Sequence, residues 1–560
     1  MRETISRRGF LARTGAAAVL AGAALSGCGN QAAQSASGDV GQAGKTSNST
    51  PSWLEAEPEI AEKDIAGTES CDVLVIGCGT SGLFAACSAA ENGAKVIAVE
   101  KGAAGVGIRG TLGGVGTKWQ AENGTDIKAT DICHDIARYS ASSVNGALTR
   151  LWATESAETV EWYGDLCVKA GREFVLCSDN DLSDEEQSGF YRHWATGHAA
   201  VVDGKTAEDD AVLTNYATEQ GVDLRYSAEM IKLVKDGDRV SGAIIKDSEG
   251  VCKQIDAAKG VIVCTGGYAQ NPDMLSALQP DTLRIFSFNS GMPNAIGSGI
   301  KACIWAGADF DSTHTSMLFD RCPLRPDQIA GEPSDGMFWM GSQPWLKVNL
   351  EGNRFADESA PYDFILHASA TQPGHTYCTI FDSNYIDYIY QFKTQGCSRM
   401  FPFENGAPVS AITLEMAQGM NQGLLESGMM QQADTIEELA DKLHIPADAF
   451  AATVKRYNEM VAAGDDRDFG KEAFRLSPVD TPPFYGIRQT GYMLCTMDGI
   501  PIDTDMRALD PDGKPIEGLF VGGNDSGSFF SHSYPDLVPG LAAGRSATFG
   551  RRAGRIAATA

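Results

Sequence analysis

The sequence predicts an α/β fold, and three stretches of the chain indicate it. Residues 72–102 combine an apolar run, a glycine-rich turn, an Ala-rich helical stretch and a second apolar run. Residues 126–140 and 146–170 carry apolar residues at helical spacing, and residues 222–264 alternate in the manner of strands joined by turns. At 560 residues the chain is long enough for two or more hydrophobic cores.

The first of these stretches contains a dinucleotide-binding fingerprint. Gly77, Gly79 and Gly82 follow the first apolar run, and Glu100 ends the second. Glycines at these positions let the chain turn sharply, let the backbone approach a pyrophosphate and let a helix pack closely on a sheet. An acid at the end of the second strand is placed to bind ribose hydroxyls. These residues predict a Rossmann-like site, and nothing in them distinguishes FAD from NAD.

Composition excludes several classes of partner. The acidic excess is 73 Asp and Glu against 45 Lys and Arg, so nucleic acid and anionic lipid would repel the chain. Of the 14 cysteines, those after Cys28 form no CxxC or CxxCH pair. The spacing therefore predicts no c-type haem, iron–sulfur or zinc site, and we expect no bound metal.

The N-terminus has the pattern of a targeting segment. Arg7 and Arg8 precede a short apolar run at 16–25 and then Cys28. The run is too short to span a bilayer. Residues 1–28 resemble a twin-arginine export signal that ends in a lipoprotein box. The resemblance implies an exported, bacterial lipoprotein, anchored to the outer face of the cytoplasmic membrane through a flexible tether at 29–69.

Further glycine-rich segments lie along the chain. The loop at 102–117 is too rich in glycine to form a core element, and it would lie along the ribityl chain and isoalloxazine if the dinucleotide is FAD. A buried strand at 260–264 runs into another glycine pair, where the backbone can again approach a cofactor. The predicted cofactor contacts beyond the fingerprint are Lys101, Gly113, Gly114, Thr265, Gly266, Gly267, Gly523 and Asn524.

Five motifs taken in order resemble one family. They are the fingerprint, the TGG strand end at 265–267, NAIGSGIKACIWAGADF at 294–310, VNLEGNRFADE at 348–358 and GLFVGGND…ATFGRRAGRIAA at 518–558. As a set they resemble the fumarate reductase and 3-ketosteroid dehydrogenase flavoproteins, over about residues 70–560. The resemblance implies a Rossmann-like FAD-binding domain in two sequence halves, 70–310 and 493–560. An α+β capping domain is inserted at 311–492.

The resemblance also implies a reaction. These flavoproteins move a hydride between flavin and one carbon of an activated C=C bond, while an acid or base handles the proton. In the fumarate reductases the acid is the arginine of a DSxR motif, and the glutamate and arginine of an ExxR motif supply it with protons. Glu351 and Arg354 match the ExxR motif, whereas Tyr385 stands at the position of the acid. A phenol can donate a proton to an enolate, so Tyr385 is either the acid or an aromatic packing residue.

The substrate-binding positions depart from the fumarate reductases. His314 matches one histidine of that family, while Cys495 replaces the second, and Asp536 falls at about the position of the arginine that clamps a carboxylate. Without that arginine the site should reject a dicarboxylate, so fumarate itself is not expected as the substrate.

The C-terminal string at 524–544 is closer to the ketosteroid dehydrogenases. Tyr534 matches their tyrosine that hydrogen-bonds the substrate carbonyl, and a backbone N–H near Gly540 would assist. His532 could also contribute to binding the carbonyl oxygen. Phe529 and Phe530 would form an apolar wall beside a ring-bearing substrate. The alternative is that Tyr534 only turns the chain before a proline and that the two phenylalanines are core.

These observations predict an FAD-dependent reductase of an α,β-unsaturated carbonyl compound or enoate. It would act as a respiratory terminal reductase that takes electrons from a separate cytochrome or quinol-linked protein. The alternatives are a ketosteroid dehydrogenase that runs the same chemistry oxidatively, a fumarate reductase-like enzyme, and a small-molecule-binding lipoprotein without flavin.

Overall fold

The computed structural model describes residues 51–177, 186, 191–393, 396–409 and 412–560. Residues 52–560 form one compact unit. The predicted export signal and residues 29–50 of the tether lie outside the described residues. Within the described ranges, no helix is long and apolar enough to cross a bilayer.

The largest sheet has eight strands and joins the two ends of the chain. Its strands are β1 Ile65–Ile76, β2 Val96–Val99, β7 Asp223–Arg225, β8 Glu229–Asp236, β9 Arg239–Lys246, β10 Cys252–Val263, β17 Arg507–Leu509 and β18 Pro515–Val521. The order is β17-β18-β10-β1-β2-β7, with β8 and β9 attached to β10. The C-terminal strand β18 runs parallel to β10 and pairs Leu519 with Val261. The two predicted sequence halves therefore form one sheet.

Two helices cover this sheet next to the glycine turn. α1 is Thr80–Glu91, and the C-terminal helix α13 is Leu541–Thr559. A Cβ on Gly550 would clash with the Ser81 carbonyl oxygen, and one on Gly554 would clash with the carbonyl oxygen of Ala85. The two helix backbones are thus in direct contact, which only glycine allows at these positions.

A smaller sheet lies beside the cofactor region. It contains β3 Leu112–Gly113, β4 Glu173–Leu176, β5 Gly197–Val202 and β6 Lys205–Thr206. The central strand β5 pairs antiparallel with the other three, and Leu112 lies opposite His198. This pairing fixes the position of β3, which the glycine-rich loop enters.

The third sheet forms the centre of the intervening segment. Its six strands are β11 Phe286–Asn289, β12 Ser316–Leu324, β13 Leu346–Asn349, β14 Tyr377–Phe381, β15 Met430–Ala433 and β16 Phe484–Thr496. The long strand β16 pairs with β11, β12, β14 and β15, and β13 pairs with β14. Two separate apolar clusters pack on this sheet, one around Phe450 and one around Trp345. Separate cores of this kind fit the predicted cap, whose boundaries stay a prediction.

The remaining helices are α2 Lys118–Glu122, α3 Ala129–Tyr139, α4 Gly146–Lys169, α5 Ala211–Glu219, α6 Pro272–Leu278, α7 Ser298–Trp305, α8 Tyr362–Ser369, α9 Tyr385–Phe392, α10 Leu414–Glu426, α11 Ile436–Leu443 and α12 Ala447–Ala463. The helical prediction at 126–140 and 146–170 corresponds to α3 and α4. The strand prediction at 222–264 corresponds to β7 to β10. Apolar periodicity identified these elements because each presents one face to the core.

Candidate active site

The glycine turn after β1 is built as the fingerprint predicts. Gly77 has φ of +94°, and a Cβ there would clash with the Cys264 carbonyl oxygen. A Cβ on Gly82 would clash with the carbonyl oxygen of Gly77. Both glycines are therefore required by the packing of the protein itself.

Gly79 differs from its two neighbours. The nearest atom to a Cβ at this position is a Val106 methyl group at 3.4 Å, so the protein leaves space there. Gly79 is also the N-cap of α1, and no side chain caps the helix. The unpaired N–H groups of a helix N-terminus favour an anion, and the open cradle beside them fits the pyrophosphate of a dinucleotide.

Glu100 lies beside this turn at the end of β2. Its side chain is buried, and its carboxylate accepts hydrogen bonds from the Cys78 N–H (2.9 Å) and the Gly102 N–H (2.8 Å). A buried carboxylate at this place is suited to ribose hydroxyls. Lys101, in contrast, pairs with Glu229 at 2.8 Å at the partly exposed edge of the sheet.

The two sequence halves are tied together at the next strand ends. Asp525 is fully buried and accepts hydrogen bonds from the N–H of Thr265 and, at 2.8 Å, from that of Gly267. Gly266 and Gly267 both have positive φ, of +95° and +81°. Beside them the carbonyl oxygen of Gly523 accepts a hydrogen bond from the Arg545 guanidinium at 2.7 Å. These contacts hold the segments 265–267 and 522–524, both predicted to contact the cofactor, next to each other.

A second helix N-terminus lies opposite the first. The Gly113 N–H donates to the Gly540 carbonyl oxygen at 2.8 Å, and a Cβ on Gly113 would lie 2.8 Å from the Gly540 carbonyl carbon. Gly114 donates to the Thr196 carbonyl oxygen at 2.9 Å. Gly540, at φ of +76°, caps α13 without a side-chain hydrogen bond. The N-terminal end of α13, which carries a partial positive charge, therefore lies beside β3, where a flavin ring would be close to it.

Tyr534 lies against the start of α13. Its ring is 5 % exposed, and its hydroxyl oxygen accepts the Ala542 N–H at 3.2 Å. Burial raises the pKa of the Tyr534 phenol, so the group stays protonated at neutral pH. Burial likewise raises the pKa of the nearby Cys495 thiol to about 11, against the opposing effect of Arg109 and Arg545. Asn524 forms a hydrogen bond with Cys495, so the predicted Cys495, Tyr534, Asn524 and Gly540 lie in one region.

Asp536 lies in the same region and is 1 % exposed. Its Oδ2 accepts the Tyr362 N–H at 2.7 Å, whereas Oδ1 has no hydrogen-bond partner among the described residues. Burial raises the pKa of Asp536 well above its ordinary value, with nearby Asp363 and Asp320 adding to the effect. Burial therefore favours the protonated form of the Asp536 carboxyl.

The structure adds residues that the sequence did not point out. Cys397 and Pro539 face a cavity together with Thr111 and Arg399. Burial raises the pKa of the Cys397 thiol to about 11, while Arg321 and a hydrogen bond with the Gly540 main chain oppose the rise. The intervening segment thus reaches the N-terminus of α13. The only sequence signal for Arg321 is a charged pair inside the apolar run at 316–324.

Glu351 and Arg354, which match the proton-supplying motif, have different surroundings. Glu351 is exposed because the chain turns tightly after Asn349, whose side-chain oxygen accepts the N–H groups of residues 351 and 353. Arg354 forms two-point ion pairs with Glu358 (2.7 and 2.8 Å) and Asp466 (2.8 and 2.9 Å). The role of Glu351 and Arg354 in supplying a proton stays a prediction.

Tyr385 lies in an aromatic cluster. Its ring centroid is 5.5 Å from that of Phe381 and 6.1 Å from that of Tyr485, both in edge-to-face geometry. These contacts match the packing alternative for Tyr385. Its role as an acid stays a prediction.

The two predicted histidines have different surroundings. His314 Nδ1 lies 2.7 Å from Oδ2 of Asp498, a fully buried carboxylate that also accepts the Tyr268 hydroxyl. His532 has φ of +61° and an exposed side chain, and its carbonyl oxygen accepts the Thr315 hydroxyl at 3.0 Å. His314 is oriented by a buried partner, whereas His532 contributes its main chain to the packing.

Comparison with known proteins agrees with a dinucleotide site at the glycine turn 77–82 and Glu100. A family model described as an FAD binding domain matches residues 72–536. The chain is 30 % identical over 504 residues to a vinyl phenol reductase of Lactiplantibacillus plantarum, covering 88 % of this chain and 97 % of the relative. It is also 30 % identical to a 3-oxosteroid 1-dehydrogenase of Mycobacterium tuberculosis, covering 59 % of each chain.

Among solved structures, the open conformation of a flavocytochrome c3 fumarate reductase superposes with a TM-score of 0.62 at 25 % identity, covering 91 % of this chain and 82 % of that one. The cofactor that fits the two glycine turns, the uncapped N-terminus of α1, the N-terminus of α13 and Glu100 is therefore FAD. The chain belongs to the FAD binding domain family of flavin-dependent oxidoreductases.

Proposed function

We propose that the protein reduces a C=C bond conjugated to a carbonyl or carboxylate group. The observation that carries the proposal is the Tyr534 hydroxyl beside the start of α13. Its oxygen already accepts the Ala542 N–H, and no acceptor for its own proton is present among the described residues. A buried, neutral phenol in this position is able to donate to an oxygen atom of the substrate.

The chain's residues would act on the charge that develops during the reaction. When bound, the flavin would supply the hydride to one carbon of the double bond, and an acid, for which Tyr385 is the candidate, would add the proton to the neighbouring carbon. Tyr534 would donate a hydrogen bond to the carbonyl oxygen as negative charge grows there, which lowers the barrier to an enolate-like transition state. Burial raises the pKa of Asp536 well above its ordinary value and so favours the neutral form, which would not repel that charge.

The reductive direction is supported by the extent of the similarities. The vinyl phenol reductase matches over 97 % of its length, whereas the 3-oxosteroid 1-dehydrogenase matches over 59 % of its length. The dehydrogenase alternative is kept because the steroid enzymes share the string that contains Tyr534. The fumarate reductase alternative is less well supported, because the carboxyl of Asp536 takes the place of a clamping arginine.

A screen with a reduced viologen dye tests the proposal. The protein is purified with FAD, and dye oxidation is followed with cinnamate, other enoates, 4-vinylphenol, enone steroids and fumarate. We expect oxidation with at least one conjugated acid or enone. If no conjugated acid or enone oxidises the dye, or if 4-vinylphenol alone does, the proposal fails. Turnover of saturated ketosteroids with an oxidised dye, without the reverse reaction, would select the dehydrogenase.

We also infer that the protein is an exported lipoprotein that receives electrons from a separate donor protein. The twin arginines before the apolar run and Cys28 after it support this inference, as does the absence of a haem-binding CxxCH string from the sequence. Metabolic labelling with a radioactive fatty acid should label the wild type and leave Cys28→Ala unlabelled. Equal labelling of both, or a wild type that fractionates with the cytoplasm, would contradict it.

A further inference from the structure

Arg321 is a buried cation with an unused hydrogen-bonding edge. It lies on β12 and is 3 % exposed. Its Nε donates to the Ser342 hydroxyl at 2.8 Å, but Nη2 has no partner among the described residues. A buried N–H group without an acceptor is costly, so the edge that carries Nη2 is suited to a ligand.

Three aromatic rings lie around the guanidinium of Arg321 and leave the edge that carries Nη2 free. The guanidinium carbon is 3.8 Å from the ring centroid of Trp339, 4.7 Å from that of Phe319 and 5.1 Å from that of Tyr362. Rings hold a guanidinium by its surfaces, while its N–H groups point outward in its own plane. A planar anion such as a carboxylate matches that arrangement of donors.

No carboxylate of the described residues forms an ion pair with Arg321. The neighbouring Asp320 accepts the Ser342 hydroxyl at 2.6 Å and lies 3.9 Å from the ammonium group of Lys347. Burial raises the pKa of Asp320 to about 6, while the charges of Lys347 and Arg321 oppose the rise. The charge of Asp320 is thus shared between two cations, and Nη2 of Arg321 keeps no hydrogen-bond partner among the described residues. A buried N–H group in this state gains a partner when an anion binds.

Arg321 belongs to the same region as the reactive groups. Its charge acts on both Tyr362 and Cys397, and so does Asp536. Cys397 is in turn hydrogen-bonded to the main chain of Gly540, the residue that caps α13 beside Tyr534. Arg321 thus lies in the same region of the protein as Cys397 and the N-terminus of α13.

We propose that Arg321 binds the carboxylate of the substrate, which is an aromatic enoate with a single negative charge. This inference rests on the proposed reduction of a conjugated C=C bond. The rings of Trp339, Phe319 and Tyr362 around the guanidinium favour an aryl group over a small diacid. A dicarboxylate would need a second cation, and Arg545 is already engaged by Gly523 and Ser526.

The test compares an acid with its neutral ester. Cinnamate and methyl cinnamate are assayed with reduced viologen on the FAD-loaded wild type and on Arg321→Met. We expect kcat/KM for cinnamate to fall about 100-fold or more in Arg321→Met, because one partner of a buried charged pair is removed. The value for methyl cinnamate should change by less than about threefold, since the ester carries no charge to be paired.

Two further variants separate binding from structure. Arg325→Met removes an exposed arginine just after the same strand, and it should leave both substrates unaffected. Arg321→Lys keeps the charge without the two-point geometry, and it should retain part of the preference for cinnamate. Equal losses for acid and ester in Arg321→Met would overturn the inference and leave the proposed reduction intact.

Direct binding distinguishes failure of the inference from failure of the proposed function. Equilibrium dialysis of cinnamate against the oxidised, FAD-loaded protein requires no turnover. We expect wild type to bind cinnamate more tightly than Arg321→Met does, even if neither reduces it. If Arg321→Met does not retain FAD, the wild type and Arg321→Lys are compared with cinnamate and methyl cinnamate. Equal affinity of the wild type for acid and ester would overturn the inference.

Discussion

The contrast between Gly79 and Gly82 gives a sharp prediction about the cofactor site. An alanine at position 82 would place its Cβ against the Gly77 carbonyl oxygen, so the protein itself must shift. We expect Gly82→Ala to destabilise the apoprotein by about 1–3 kcal/mol, the usual cost of overpacking. An alanine at position 79 meets only Val106, at an ordinary contact distance of 3.4 Å. Its backbone, with φ of −77°, is open to any residue.

Gly79→Ala should therefore change the stability of the apoprotein by about 1 kcal/mol or less, the cost of alanine at an N-cap. Because the added methyl group occupies the space left for the pyrophosphate, the Kd for FAD should rise about 100-fold, or about 2.7 kcal/mol. Calorimetric titration of deflavinated protein with FAD and thermal unfolding of the apoprotein measure the two effects. Gly67→Ala, in β1 with no atom within 4 Å of the new Cβ, is the control. Full FAD affinity in Gly79→Ala would refute the reasoning.

Four more predictions concern the reaction and the stability of the fold. Tyr534→Phe should lower kcat about 100-fold while FAD stays bound, because the donor to the developing oxyanion is lost. Tyr385→Phe should stay within about threefold of wild type if its ring only packs, and a 100-fold loss would restore its role as acid. Arg354→Met removes the guanidinium from two buried carboxylates, of which Glu358 keeps Lys471 at 3.6 Å, and it should cost about 3–5 kcal/mol by denaturant unfolding. Arg456→Met, at a surface ion pair, should barely change the denaturant midpoint of unfolding. A loss of stability as large as that of Arg354→Met would contradict the argument. Burial lowers the pKa of His198 from 6.5 to about 4, so the folded state binds that proton less well than the unfolded chain. Stability should then fall by about 3 kcal/mol as the pH drops from 6.5 to 4, and an unchanged slope in His198→Gln would show that another group is responsible.

The cofactor cradle was predictable from the sequence because it depends on local backbone geometry. Gly77 and Gly82 occupy positions where any side chain would clash with the main chain. The structure requires glycine there, and the glycines are visible in the sequence as a motif. Apolar periodicity identified the strands around them for a similar local reason. The pairing of β18 with β10 was implied only by the family resemblance, since no local signal joins segments that are more than 250 residues apart.

The partners of charged residues could not be predicted in the same way. The ExxR spacing matched Glu351 and Arg354 to one motif but gave no partner for either, and the turn after Asn349 directs Glu351 to solvent. Asp466, which pairs with Arg354, lies 112 residues further along the chain. Arg321 was missed because a single arginine in an apolar strand has no meaning until its surroundings are known. Tertiary packing decides these contacts, and spacing alone carries no information about it.

A single-turnover measurement tests the central claim most directly. The FAD-loaded protein is reduced by light under anaerobic conditions and is then mixed with a stoichiometric amount of cinnamate. We predict that the absorbance of oxidised flavin returns in full and that an equal amount of 3-phenylpropanoate is formed. The same experiment with Tyr534→Phe should proceed far more slowly. A flavin that stays reduced with cinnamate and with every other conjugated acid or enone of the dye screen would contradict the account.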